Sequence, residues 1–185
     1  MYWKRIYLLP MAFKDSPLFE SLRLAVEDTF GIKTGIMTQM PLPSSAYDPN
    51  RAQYCSSYIL QCLHLHMPPD ATRLLAITGA DLYVPQFNYV FGQATVDGNV
   101  SIISTHRLRS DFYGEPPNKA LLEERAVKEA VHELGHTFGL RHCTNPDCVM
   151  HFSNKVEDTD RKTAKFYDDC ANLLEAKLSE VRFAA

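Results

Sequence analysis

The run His132-Glu133-Leu134-Gly135-His136-Thr137-Phe138-Gly139-Leu140-Arg141-His142 constrains this chain more than any other stretch. It has the form HExxHxxGxxH, which arises by chance in roughly one chain of this length in 10⁵. On a helix, positions 132 and 136 are four residues apart, so both imidazoles project from one face, about one turn from each other. That spacing lets two ring nitrogens meet one Zn²⁺. Glu133 lies one position further round, poorly placed as a third ligand and well placed to touch a water beside the metal. Gly139 offers the left-handed backbone that ends a helix without a Cβ clash, so the chain can turn back and bring His142 to the same ion. Three neutral imidazoles plus one water make an open tetrahedral site, the catalytic rather than the structural type. Zinc suits that donor set, and Glu133 reads as the general base acting on the water. The bland alternative is an amphipathic helix with its histidines on the wet side.

The rest of the sequence bounds the setting. A chain of 185 residues with 45% hydrophobic content, ten Phe and nine Tyr is enough for one domain with a sizeable core. Its net charge of −3 gives no reason to expect a nucleic-acid or anionic-membrane partner. No apolar run approaches the length of a transmembrane helix. The opening residues, Met1 to Pro10, are too short and too polar for a signal peptide, and the chain reads as one made in its final form. Five cysteines, an odd number, favour metal binding or free thiols over a disulfide framework. A reducing cytoplasm is the expected location, and a monomer the expected state.

Along the chain, Lys4 to Leu9 reads as a strand closed by Pro10. Ser16-Pro17 opens a helix that Gly31 stops, and residues 32–40 read as a second strand. Asp48-Pro49 reads as the start of a second helix, with Asp48 as N-cap and Ala52, Cys55, Ile59, Cys62 and Leu63 on one face. Cys55 and Cys62 are by spacing core thiols, and His64 and His66 surface or capping groups. Arg73 to Thr78 is a strand. Asp81 reads first as a turn residue and second as a partner for a histidine N–H. Phe87 to Ala94 is a strand interrupted by Gly92, and Asp97-Gly98 turns it back into Val100 to Ser104. A long helix begins near Asn118, with Leu122, Ala126, Ala130, Leu134 and Phe138 as its apolar stripe. His132 and His136 fall on another face, toward a cleft. A last helix, capped by Asp158 or Thr159, runs to about Phe183 with Ala164, Tyr167, Ala171, Leu174, Leu178 and Val181 as its seam. Strands separated by helices, then a hairpin, give a mixed α/β sheet.

The motif continues as His142-Cys143, four residues, then Cys148-Val149-Met150. The run HExxHxxGxxHC-x4-C-x-M resembles the archaemetzincin family of zinc-dependent metallopeptidases. The first half resembles it too, in Tyr47-Asp48-Pro49 and in Asn88-Tyr89-Val90-Phe91-Gly92-Gln93-Ala94. The resemblance implies an α/β, zincin- or metzincin-like fold: a mixed twisted sheet, a long active-site helix and a small helical C-terminal lobe. The single metallopeptidase domain would divide into subdomains of about residues 1–138 and 139–185. It implies hydrolysis of peptide bonds in a peptide or protein substrate. It implies that the edge strand carrying Tyr89, Phe91, Gly92, Gln93 and Ala94 binds extended peptide, where an ordinary edge strand is the plain alternative. Met150 takes the place of the methionine that packs under the metal in metzincins. No hydroxyl donor stands two residues beyond it, where Phe152 lies, which leaves Tyr89 and His151 as candidate oxyanion donors.

The family pattern also implies a second, structural zinc held by four cysteines. Here Cys143, Cys148 and Cys170 match, but Tyr167 stands where the third cysteine would be. A closed zinc site needs four ligands, so His151, Asp168, Asp169, Cys55, Cys62 or a water would complete it, unless the three thiols stay unligated. The rival to an enzyme is a zinc-binding or redox-responsive interaction module that keeps the scaffold and cleaves nothing efficiently.

Overall fold

The computed structural model describes residues 4–183. Strand β1 (Arg5–Met11) leads into helix α1 (Ser16–Phe30) and strand β2 (Thr34–Ile36). A short hairpin, β3 (Tyr47–Asp48) and β4 (Gln53–Cys55), precedes helix α2 (Ser56–Leu63). Then follow β5 (Ala71–Thr78), β6 (Leu82–Val84), β7 (Phe87–Val90), β8 (Gly92–Ala94) and β9 (Val100–Ser104). The long helix α3 (Lys119–Thr137) comes next, and α4 (Val156–Arg161) and α5 (Asp168–Phe183) end the chain.

The main sheet has the order β2-β1-β5-β9-β8, parallel except for β8, which lies antiparallel to β9 at one edge. Side chains alternate across it as the pleat requires. Ile6, Leu8, Leu75, Ile77 and Ile103 share a core with Leu22, Val26 and Phe30 of α1 and Ala130 and Leu134 of α3. Leu9, Leu74, Ala76, Val100 and Ile102 pack with Ile59, Leu60 and Leu63 of α2. Helices thus cover both faces, as a mostly parallel sheet needs. A second sheet, β3-β4-β6-β7, stands beside the first. The expected mixed α/β sheet with a long helix across it is therefore present.

Several local expectations need correction. β1 does not stop at Pro10 but continues to Met11, with Pro10 opposite Ile77. The Pro10 carbonyl accepts from Met40 N–H at 2.9 Å. Its missing N–H faces that same side, beyond the end of β2, so the ladder with β5 loses nothing. The strand expected over residues 32–40 is only Thr34–Ile36, with one isolated bridge at Met40. Asp48 caps no helix. Its carboxylate accepts from Asn50 N–H at 2.9 Å and closes the turn between β3 and β4, and α2 begins only at Ser56. Cys55 lies in β4, and both Cys55 and Cys62 are half-buried rather than core. His64 and His66 are exposed on a short 3₁₀ turn, as expected.

Phe87 to Ala94 is two strands, not one. β7 belongs to the small sheet and β8 to the main sheet, and buried Phe91 is the step between them. The expected last helix is also two. The N-cap of α4 is Lys155; Asp158, expected to cap the helix, lies with Thr159 inside it and reaches back to accept from the Asn154 and Lys155 N–H groups at 3.0 and 3.1 Å. The chain then leaves helical geometry at Lys162, and Val149 N–H donates to the Lys165 carbonyl at 2.8 Å. Backbone pairing and the inward reach of the Lys162 side chain outcompete helix continuation there. α5 starts at Asp168 and buries Leu174 and Leu178 against the main core.

Candidate metal centre and cleft

Helix α3 begins where its cap residue stands: Asn118 Oδ1 accepts from Leu121 N–H at 3.0 Å. Its first turns are exposed, and from Lys128 to Phe138 every residue is buried. It ends in a paired C-terminal motif, with Gly139 N–H donating to the His136 carbonyl at 2.9 Å and Leu140 N–H to the Gly135 carbonyl at 3.2 Å. Gly139 adopts φ +88°, the left-handed backbone expected of it. The chain therefore reverses, and His142 comes back beside the helix. Ring centroids of His132, His136 and His142 lie 4.7, 4.9 and 5.4 Å apart. One nitrogen from each falls within 4.8 Å of the others.

The tautomers are fixed by the backbone. His132 Nδ1 donates to the Val149 carbonyl and His136 Nδ1 to the Leu140 carbonyl, both at 2.7 Å. A carbonyl only accepts, so each Nδ1 carries the proton and each Nε2 presents a lone pair. Those two Nε2 atoms face each other at 3.1 Å. Burial and neighbouring Lys162 push the His132 pKa well down, and burial lowers His136. The exposed member, His142, is pushed down to about 4, chiefly by desolvation against the cleft wall and then by His136. Neutral rings with opposed lone pairs repel unless a cation lies between them. Two nitrogens on one tetrahedral zinc stand about 3.4 Å apart, so the donor set fits zinc.

Glu133 is buried beside these rings, 5% exposed. Burial raises its pKa well above the ordinary carboxylate value; Glu129 adds to this and Lys162 opposes it. A Cβ on Gly92 would stand 2.6 Å from Glu133 Cγ and 2.7 Å from its Oε1. The bare backbone of β8 thus gives the carboxylate its space. Met150 is fully buried, its thioether against Gly135 between the two helical histidines.

A cleft of 490 Å³ runs over this centre, between the β7–β8 stretch on one side and Phe152 to Asn154 on the other. Gly92, Gln93 and Ala94 line it along the free edge of the main sheet. The Gln93 side chain is turned to α2, where its Oε1 accepts from Ser56 Oγ at 2.6 Å. Tyr89 spans the cleft, donating its hydroxyl to the Asn154 carbonyl at 2.7 Å. His151 does not line the cleft; its Nδ1 donates to the Cys143 carbonyl at 3.0 Å.

Among the described residues Asp81 makes no hydrogen bond to a histidine of the site; the Nδ1 groups of His132 and His136 go to backbone carbonyls instead. Burial alone would raise its pKa, but Arg107 and Gln53 hold the carboxyl below the usual range. Arg107 grips it at 2.8 and 2.7 Å, and its guanidinium lies 4.2 Å over the Tyr89 ring. Arg107, which has no role legible in the sequence, thus supports the cleft wall. Arg107→Ala is expected to lower stability by about 1–3 kcal/mol, because Asp81, with a side chain only 11% exposed, keeps its charge without its partner. A denaturant titration at constant free zinc checks this.

The structure also holds pairs that the sequence did not disclose. Lys162 is buried and its ammonium meets Glu129 at 2.9 Å, one helical turn before Glu133. Glu129 could have been noticed on the His132 face of the helix, but its partner comes from a distant segment. Cys143, Cys148 and Cys170 do converge, with their sulfurs within 4.8 Å of one another.

A buried carboxylate beside three converging imidazoles, in a cleft open along a sheet edge, is the equipment of the zinc-dependent metallopeptidases, and fold and site place the chain in that class. The sequence profile described as peptidase family M54 matches residues 28–176. The archaemetzincin of Pyrococcus furiosus is 46% identical over 179 residues, covering 94% of this chain and 93% of its own. Among solved structures, the archaemetzincin of Methanopyrus kandleri superposes with a TM-score of 0.84 at 34% identity, over 95% of this chain and 96% of that one. That of Archaeoglobus fulgidus, solved in complex with malonate, gives 0.80 at 36% identity, over 91% and 99%. The chain belongs to peptidase family M54, the archaemetzincins. Zinc-dependent peptide hydrolysis follows from that membership, and it favours the enzyme over a non-catalytic module.

Proposed function

We propose that His132, His136 and His142 hold the catalytic zinc and that Glu133 is the general base of peptide-bond hydrolysis. The facing Nε2 lone pairs of two neutral, backbone-oriented histidines carry this reading. Zinc, when bound, supplies a Lewis acid for the scissile carbonyl and lowers the pKa of water beside it. Glu133 takes the proton from the attacking water on a carboxylate oxygen and later gives it to the leaving amine nitrogen. Gly139 returns His142 to the centre, and Met150 packs beneath it. The edge formed by Gly92 to Ala94 grips extended peptide through backbone groups, with Tyr89 and Phe91 shaping the wall.

We further infer a second zinc on Cys143, Cys148 and Cys170, supported by their convergence and by Asn145 N–H, which donates to Cys143 Sγ at 3.4 Å. The same reading takes residues 1–185 as one domain with its helical C-terminal part from about residue 139. It acts as a cytoplasmic monomer on peptides rather than on nucleic acid or membrane, in keeping with the net charge of −3. Among the described residues no helix is long and apolar enough to cross a membrane.

Incubation with a diverse peptide mixture tests the catalytic reading. Cleavage products are expected with zinc-loaded protein and are expected to vanish with a chelator and return with added zinc. Equal cleavage in the presence of the chelator would defeat it.

A further inference from the structure

Cys143, Cys148 and Cys170 come together from three parts of the fold. Cys143 follows His142 after the α3 reversal, Cys148 is fully buried one short loop later, and Cys170 sits in the first turn of α5. Among the described residues, no fourth His, Cys, Asp or Glu ligand atom joins these sulfurs within 4.8 Å. His151 has its Nδ1 on the Cys143 carbonyl, and Asp168 and Asp169 are exposed. Tyr167, three residues before Cys170, packs its ring against the main core. A permanently closed zinc site takes four protein ligands, and three leave a position open. Cys143 and Cys170 are only half-buried, so a ligand from solution can reach that position.

We propose that the cysteine cluster is a three-thiolate metal site with its fourth position left to an external ligand, a small thiol being the best match for so soft a donor set. The metal there is exchangeable, unlike that of a closed four-cysteine site. This rests on the reading that a second metal binds at all. The spacing Tyr167-x-x-Cys170 is the one by which two thiols reach a single metal, so Tyr167→Cys supplies the absent donor.

The test uses the full chain carrying His142→Ala, which weakens the histidine site, and it reads thiolate-to-cobalt charge transfer, to which any cobalt left on imidazoles contributes nothing. The protein is loaded with Co²⁺, and thiolate-to-cobalt absorption is followed on adding 2-mercaptoethanol. Absorption is expected to rise by about one third as three thiolates become four. With Tyr167→Cys added, the spectrum is expected to start at the higher value and ignore the thiol. Its cobalt should also leave to a chelator at least about tenfold more slowly, since even the loss of a supporting hydrogen bond costs metal sites that much. If His142→Ala does not fold, the difference between the unmodified chain and Cys170→Ser isolates the same site. Bound cobalt that does not respond to the thiol overturns the open position and leaves the second metal standing. A chain that binds no cobalt at the cysteines overturns the second-metal reading, and the inference with it.

Discussion

Glu133→Gln is expected to keep zinc at the histidine centre and to lose turnover by about 10²–10⁴-fold. The amide has nearly the shape of the carboxylate, so the packing around α3 survives. What disappears is a basic oxygen able to accept a proton from water. Zinc content and melting temperature should match those of the unmodified chain, and kcat should fall while KM changes little. Gly92→Ala reaches the same residue from the opposite wall. The added methyl would enter the space of Glu133 Cγ and Oε1, at 2.6 and 2.7 Å. Either the carboxylate swings away from the centre or β8 moves outward, and in both cases proton transfer loses its geometry. A Gly92→Ala enzyme with full kcat, or a Glu133→Gln enzyme that still hydrolyses peptide at the original rate, would contradict the roles given to these two residues.

What the sequence disclosed and what it hid divide along a physical line. The α3 helix, its Asn118 cap and its Gly139 reversal are local: each depends on residues within a turn or two, so periodicity and cap chemistry suffice. The convergence of His142 follows from that reversal. The misread helix at Asp48-Pro49 is local too, but ambiguous. A carboxylate that accepts from a nearby N–H serves a helix cap and a tight turn equally. Sheet membership is not local, and the division of Phe87–Ala94 between two sheets depends on pairing with β6 and β9. The same holds for the Val149 carbonyl, which fixes the His132 tautomer from a distant segment; the Leu140 carbonyl that fixes His136 is local, but it too is a backbone atom that any residue would supply. The gap between α4 and α5 depends on a lysine whose partner lies on another helix.

That lysine carries the largest expected effect on stability. Lys162→Met should cost about 3–5 kcal/mol, because Glu129, 3% exposed, would be left charged and unpaired in the interior. For a chain of this size that is a fall of roughly 6–20 °C in Tm. The pair is the inner end of a clamp along one stripe of α3. Arg125 holds Asp160 at 2.6 and 2.7 Å, Lys128 reaches the Asp160 carbonyl at 3.2 Å, and Thr159 donates to Glu129 at 3.1 Å. These positions, 125, 128 and 129, lead along the helix to His132. The clamp holds the C-terminal segment that brings Val149 and Met150 under the histidines, so loosening it should also weaken zinc retention. The double change Lys162→Met with Glu129→Gln removes both charges and keeps an acceptor for Thr159. It should recover most of the lost stability, since the penalty lies in the orphaned charge rather than in the absent bond. Denaturant midpoints at fixed free zinc, together with the rate of zinc release to a chelator, decide the matter. A single substitution costing less than about 1 kcal/mol, or a double change no better than the single, would show that Glu129 finds another partner or reaches water.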